Sequence, residues 1–255
     1  MRYAVVQTSL DAPPKEALGA AFSQLAELTA ADIRIIGDDA FGVLVNNFSK
    51  ESAQRLCSAL QAQGVETVVL PQEELPEMPP RKIIRQLGFE AEGLRVHDSI
   101  GRPLLIEWSH IYLLAAGSVK EIKPSTESRR TAVNRSIGRL PVTLHRSDHY
   151  SREAREAVFR LEIVLSHGVQ SISLEFGHAP ELIFGYLGER RSSNQIENFT
   201  FLVQDLCERV PMAAVNRGAF YLRKGAGHTQ YYPSRNAFYE EIIWLLWSLR
   251  ESARD

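Results

Sequence analysis

Cysteine, methionine and long apolar runs are scarce in this chain, and neither sign of charge dominates. Two cysteines and three methionines occur in 255 residues, and the formal net charge is −2. So small a charge gives no global field to recruit nucleic acid or an anionic membrane. Cys57 and Cys207 lie far apart, each on the apolar stripe of a predicted helix, so they read as small core residues of a reducing compartment. The most apolar stretch, Ile242 to Leu249, is far too short to span a bilayer. Met1 to Leu10 has an early arginine but lacks the apolar core of a signal peptide, so a cytoplasmic protein is expected. No phosphate-loop, zinc or nucleophile motif rises above background, and no cofactor or metal is expected.

What the chain has is pattern. If His167-Gly168 is a two-residue turn, Phe159 faces Phe176, Leu161 faces Leu174, Ile163 faces Ile172 and Arg160 faces Glu175. Apolar meets apolar and base meets acid, as an antiparallel hairpin with one outward face requires. In the first seventy residues Tyr3–Thr8 reads as a strand, and Asp11 to Pro14 opens a helix with Leu18, Ala21, Phe22 and Leu25 on one stripe. Ile33 to Ile35 and Phe41 to Val45 read as strands around Gly37-Asp38-Asp39. Ser49 caps a second helix that stops at Gly64, and Val65 to Leu70 closes the unit as a strand.

The resulting order, βαββαβ over 1–72, resembles the ferredoxin-like plan. Three functions of that plan are opposed by the residues. The first loop, Ser9 to Pro14, has no cysteine for a metal, and Leu10 to Pro13 lacks the glycine that amino-acid-sensing members place near the first helix. Phe41-Gly42-Val43 resembles part of an RNA-recognition signature, but Val43 stands where a second stacking aromatic belongs. Five basic side chains against eight acids in 1–72 also oppose phosphate binding.

Pro71 to Arg81 holds four prolines and reads as an extended linker between modules with separate cores. Strands are expected at 83–89, 94–98, 103–108 and 110–116. After a long polar insertion, 118–157, come the hairpin and a further strand at 182–187. A helix capped by Ser192 or Ser193 follows, with Ile196, Phe199, Val203, Leu206 and Cys207 on its stripe and Pro211 at its end. GLRVHDSIGRPLLIEWSHI, residues 93–111, is similar to the second and third strands of pleckstrin-homology domains. That resemblance implies a PH-like split β-barrel with a capping helix over 82–210. Glu90-Ala91-Glu92 stands where phosphoinositide binders carry basic residues, which disfavours headgroup binding. Residues 211–255 form a C-terminal extension: a strand at 219–223, then an apolar helix over 236–251 buried on more than one side, between the modules or in a homo-oligomer.

Candidate chemistry is thin. Residues 122–146 carry six basic side chains and one acid, so Arg129, Arg130, Arg135 and Arg139 are the binding candidates for an anionic partner. His145, Asp148 and His149 form a short cluster; on a helix His145 and His149 would share a face, but no third strong metal ligand is nearby. Glu162 and Glu175 are placed on the outward hairpin face, and Gly225-Ala226-Gly227 reads as a turn. The expected class is therefore α+β, and the expected role a non-catalytic binding, scaffold or regulatory protein. An enzyme with a site between the modules, recognisable by a charged cleft, is the first alternative. A nucleic-acid or anion binder acting through 122–146 is the second.

Overall fold

The computed structural model describes residues 1–25, 29, 33, 40–98, 100–137, 140–165, 170–175, 183–226 and 229–253, with the backbone course alone for 121–156 and 175. The chain forms two compact units, one of Met1–Val119 with Val158–Asp255 and one of Lys120–Ala157. The first is mixed α+β.

Its N-terminal part holds strands β1 (Tyr3–Gln7), β2 (Val43–Phe48) and β3 (Thr67–Pro71) with helices α1 (Lys15–Phe22) and α2 (Lys50–Ala62). The sheet order is β2-β1-β3, and both pairings of β1 are antiparallel. Of the expected strand at 33–35 only Ile33 is described, and there the expectation is corrected: Ile33 is helical, its N–H bonded to Thr29 O at 3.0 Å. Helix α1 opens on Pro14 with no side-chain cap. Ser49 caps α2 as its position implied, accepting from the Ser52 N–H at 3.1 Å. At the other end Gly64 takes φ +78, with Gly64 N–H bonded to Gln61 O and Val65 N–H to Leu60 O, a Schellman stop that needs a residue free to turn left-handed. Val5, alternating with Ala4 and Val6, faces α1 and α2, where Leu18, Phe22, Leu56 and Leu60 form a compact core.

The larger sheet contains β4 (Arg81–Phe89), β5 (Gly93–Asp98), β6 (Pro103–Glu107), β7 (Ile111–Ile137), β8 (Leu140–Leu165), β9 (Gln170–Glu175), β10 (Ala214–Val215) and β11 (Tyr231–Tyr232). Its order is β10-β7-β8-β9-β4-β5-β6, with β11 also pairing with β7. No barrel closes among the described residues, so the PH-like closure expected over 82–210 is corrected. The reason is local to Trp108–His110, a 3-10 turn after β6. It sends β7 away from its sequence neighbour to the far side of β8 and β9. Leu113, Leu114, Ala115 and Ala116 are all fully buried, so β7 is covered on both faces there, Leu114 and Ala116 sharing a core with Phe199 and Leu206, and Leu113 and Ala115 sharing another with Phe238 and Ile242.

Hairpin register follows the sequence reading at each described pair: Arg160 opposes Glu175, Leu161 opposes Leu174, and Ile163 opposes Ile172. Phe176, expected opposite Phe159, lies outside the described residues. Two expected strands are corrected. Gly185–Arg190 is a 3-10 helix, and Arg217–Arg223 is helix α4 following α3 (Gln195–Arg209). Asn194 rather than Ser192 or Ser193 caps α3, its side chain accepting from Ile196 N–H at 2.9 Å. Helix α4 ends on Gly225 at φ +72, so Gly225 and Ala226 of the glycine-rich turn form its C-terminal cap. Helices α3 and α4 cover one face of the large sheet through Phe199, Leu202, Val203, Leu206, Ala219 and Leu222.

Helix α5 (Arg235–Ser252) lies between the two sheets. Phe238, Ile242, Trp244, Leu245 and Leu246 share one core with Ala4, Val6, Phe41 and Val43 of the small sheet and Leu113, Ala115 and Val164 of the large one. The expectation of separate cores on either side of 71–81 is therefore corrected. An apolar helix with two faces to bury joins the sheets, and Leu75, Pro76 and Pro79 of the intervening segment are themselves buried. Cys57 and Cys207 are both free and buried, as their helix positions implied. Among the described residues no helix is long and apolar enough to cross a membrane.

Candidate functional site

Two buried carboxylates and one groove surround α5, and they differ in what they leave available. Glu241 is fully engaged. It accepts from Arg217 at the backbone N–H (2.9 Å), Nε (3.0 Å) and Nη2 (2.9 Å), and from the Tyr232 hydroxyl at 2.8 Å. Tyr232 in turn accepts from Asn216 Nδ2 at 2.8 Å. Asn216 caps α4, and its Oδ1 takes the N–H groups of both Ala219 and Ala116 at 2.9 Å while Nδ2 donates to Ala116 O at 3.0 Å. The Arg217 guanidinium sits 3.5 Å from the centre of the Phe41 ring, so the network links α4, α5, β7 and the small sheet. Burial, then the charge of Glu241, pushes the Tyr232 phenol far above its usual range. No buried side-chain nitrogen or oxygen of this network lacks a partner, which is the condition of a structural clasp.

Glu162 is less complete. It lies on the hairpin face expected to point outward, yet it is fully buried, and Arg160 beside it is 3% exposed. The face is covered because Tyr239 of α5 lies over it, a contact that strand pattern alone does not reveal. Oε1 accepts from Ser173 Oγ at 2.5 Å and from the Tyr239 hydroxyl at 3.0 Å, and Arg81 stands 3.9 Å away. Arg81 also donates to the Tyr239 hydroxyl. Oε2 has no hydrogen-bond partner. Loss of water raises the Glu162 carboxyl above its ordinary 4.5, against the opposing bonds from Ser173 and Tyr239 and the charges of Arg81 and Arg160. The folded state thus holds this proton more tightly than the unfolded chain. The stability it contributes is whole below its ordinary value of 4.5 and is lost as pH rises from there through the raised folded value. Glu162→Gln is expected to flatten that decline in melting temperature as pH rises above 4.5. An unaltered slope in the variant would assign the decline to other groups.

The groove of about 620 Å³ opens where the small sheet, residues 72–78 and α5 meet. Val43, Leu75 and Ile243 give it apolar walls, and Arg2, Asn46, Glu73, Glu77 and Glu240 give it charged and polar ones. Its edge is fixed by an unusual backbone. Asn47 takes φ +62, a conformation asparagine tolerates better than most side chains. Its N–H donates to Gln72 Oε1 at 3.1 Å and its carbonyl accepts from Arg2 Nη1, also at 3.1 Å. Asn46 Nδ2 donates to Glu240 Oε1 at 3.2 Å and ties β2 to α5.

No protein-family model matches the chain, and comparison with curated proteins and with solved structures gives no significant match.

The sequence candidates fall elsewhere. Arg129, Arg130 and Arg135 lie on the backbone of β7, and Arg139 lies outside the described residues. Residues 118–157, expected as a long polar insertion, run mostly as the strands β7 and β8. His145 and His149 are on β8, where four residues span roughly 13 Å instead of one helical turn, so the helix-face metal reading is withdrawn. Among the described residues no group of three metal-ligating side chains is found. The groove residues Asn46 and Glu240, and Asn47 beside them, were missed. The adjacent asparagines ending a strand were the available signal, because asparagine marks left-handed backbone.

Proposed function

We propose that the chain is a non-catalytic cytoplasmic binding or scaffold protein whose groove takes a basic, partly apolar segment of another protein. The groove's three glutamates against one arginine carry the reading. A cationic side chain entering there meets carboxylates above apolar walls, while an acidic one is repelled. The buried carboxylates Glu162 and Glu241 lie outside the groove and serve the attachment of α5, which favours binding over catalysis. For 1–72, the antiparallel order β2-β1-β3 with α1 and α2 on one face supports a ferredoxin-like module. The two buried free thiols support a reducing compartment.

The test is a calorimetric titration of the full chain with a short peptide of alternating arginine and leucine, beside its glutamate–leucine counterpart. The basic peptide should bind saturably, weaken as salt rises and lose about tenfold or more in affinity with the double variant Glu73→Lys, Glu77→Lys. Equal binding of the acidic peptide, or affinity indifferent to the double variant, would overturn the proposal.

A further inference from the structure

We infer that a second copy of this chain pairs with the first through the outer edge of β6, making one continuous sheet across a two-fold axis. The inference rests on the phase of the edge's hydrogen bonds and on the order of its side chains. Asp98 N–H bonds to Arg102 O at 3.1 Å and Trp108 N–H to Glu92 O at 3.4 Å, at opposite ends of the β5–β6 pair. Between them Leu94 opposes Ile106 and Val96 opposes Leu104. Backbone direction alternates along an antiparallel strand, so residues 102, 104, 106 and 108 bond toward β5. The N–H and C=O groups of Leu105 and Glu107, with the Pro103 carbonyl, point away from it. Strand β6 ends the sheet order, so these groups meet no further strand among the described residues.

Such an edge invites another strand, and proteins usually guard it with charge, proline or a bulge. Pro103 guards only one end here, and Leu104, Leu105 and Ile106 follow without a charge. Leu104 is 43% exposed and Leu105 40% exposed. An antiparallel second copy centred on Leu105 uses what the edge offers. The two Leu105 residues exchange both backbone bonds, and each Glu107 N–H donates to the other copy's Pro103 carbonyl. Proline's missing donor therefore falls at the end of the ladder. Leu104 of each copy lies opposite Ile106 of the other, and the two Leu105 side chains meet on the reverse face. Arg102, which also bonds Asp98 at 2.7 Å, precedes the strand and Glu107 ends it, so antiparallel pairing brings the end holding Arg102 to the acidic end, whereas parallel pairing sets acid beside acid. A one-residue slip turns the leucines to the wrong faces, which fixes the register. The strand is short, so the dimer is weak and concentration-dependent.

Sedimentation of the full chain from about micromolar to about millimolar concentration should show a monomer–dimer equilibrium. Leu105→Lys should move its midpoint about tenfold or more upward with the melting temperature unchanged, since residue 105 is exposed in the monomer. Leu105→Cys supplies a geometric test. A bonded antiparallel pair holds its Cα atoms about 5.5 Å apart, within disulfide reach, so mild oxidation should give a symmetric cross-linked dimer. Cys57 and Cys207 are buried and leave this readout clean. A chain monomeric throughout the range, a dimer unmoved by Leu105→Lys, or Leu105→Cys cross-linking no faster than Ile100→Cys in the neighbouring turn would each overturn the inference.

Discussion

Trp244→Ala is expected to destabilise the protein by about 3–5 kcal/mol, measured by chemical denaturation. Trp244 is 1% exposed and packs edge-on against Phe41 at 5.2 Å between ring centres. A Cβ on Gly42 would lie 2.6 Å from its side chain, so the small sheet is shaped around the indole. Its Nε1 donates to Gln7 O at 2.8 Å, binding α5 to β1. Alanine would remove the packing and leave a buried carbonyl without its donor. Trp244→Phe keeps much of the packing and should lose about 1 kcal/mol for the bond. Trp247, only half-buried at the margin of the same core, should cost less than Trp244 when replaced by alanine. The reverse ranking of the two tryptophans would refute the placement of α5 between the sheets.

Glu241→Leu should be comparably damaging, at about 3–5 kcal/mol, for a different reason. Leucine supplies apolar volume but strands the Arg217 guanidinium and the Tyr232 hydroxyl, both of which donate to this carboxylate. Glu241→Gln retains an acceptor for Tyr232 and should fall between the wild type and Glu241→Leu. Replacing Glu241 and Arg217 together by leucine and methionine should recover part of the loss, because no unpaired charge then remains buried. If the double variant is less stable than Glu241→Leu alone, the clasp contributes through something other than charge pairing.

Sequence pattern disclosed the elements whose cause is local. Side chains two residues apart set the hairpin register, Ser49 and Gly64 bound α2 with their own backbone chemistry, and the apolar girth of 236–251 announced a helix covered on two sides. The misreadings have causes that apolar periodicity does not carry. Ala219 to Arg223 has apolar and aromatic residues suited to a strand, but Asn216 caps Ala219 N–H and starts a helix there. Strand β7 follows β6 directly in sequence and joins the opposite part of the sheet, a choice governed by which faces must be covered. Glu162 sits on a face that reads as solvated because Tyr239, its cover, lies 77 positions away. The groove was invisible for the same reason, since its walls come from four separated segments.

The position of α5 in the order of synthesis has its own consequence. A chain growing from its N-terminus completes the strands of both sheets before α5 exists. Until then Val6 and Val43 on one sheet, and Leu113 and Ala115 on the other, have no helix against them. Gln7 must await Trp244 across 237 positions. Closing so long a separation is entropically slow, and exposed strand surface is what nascent chains lose to aggregation. The helix that joins the two sheets also sets the moment at which either can be finished.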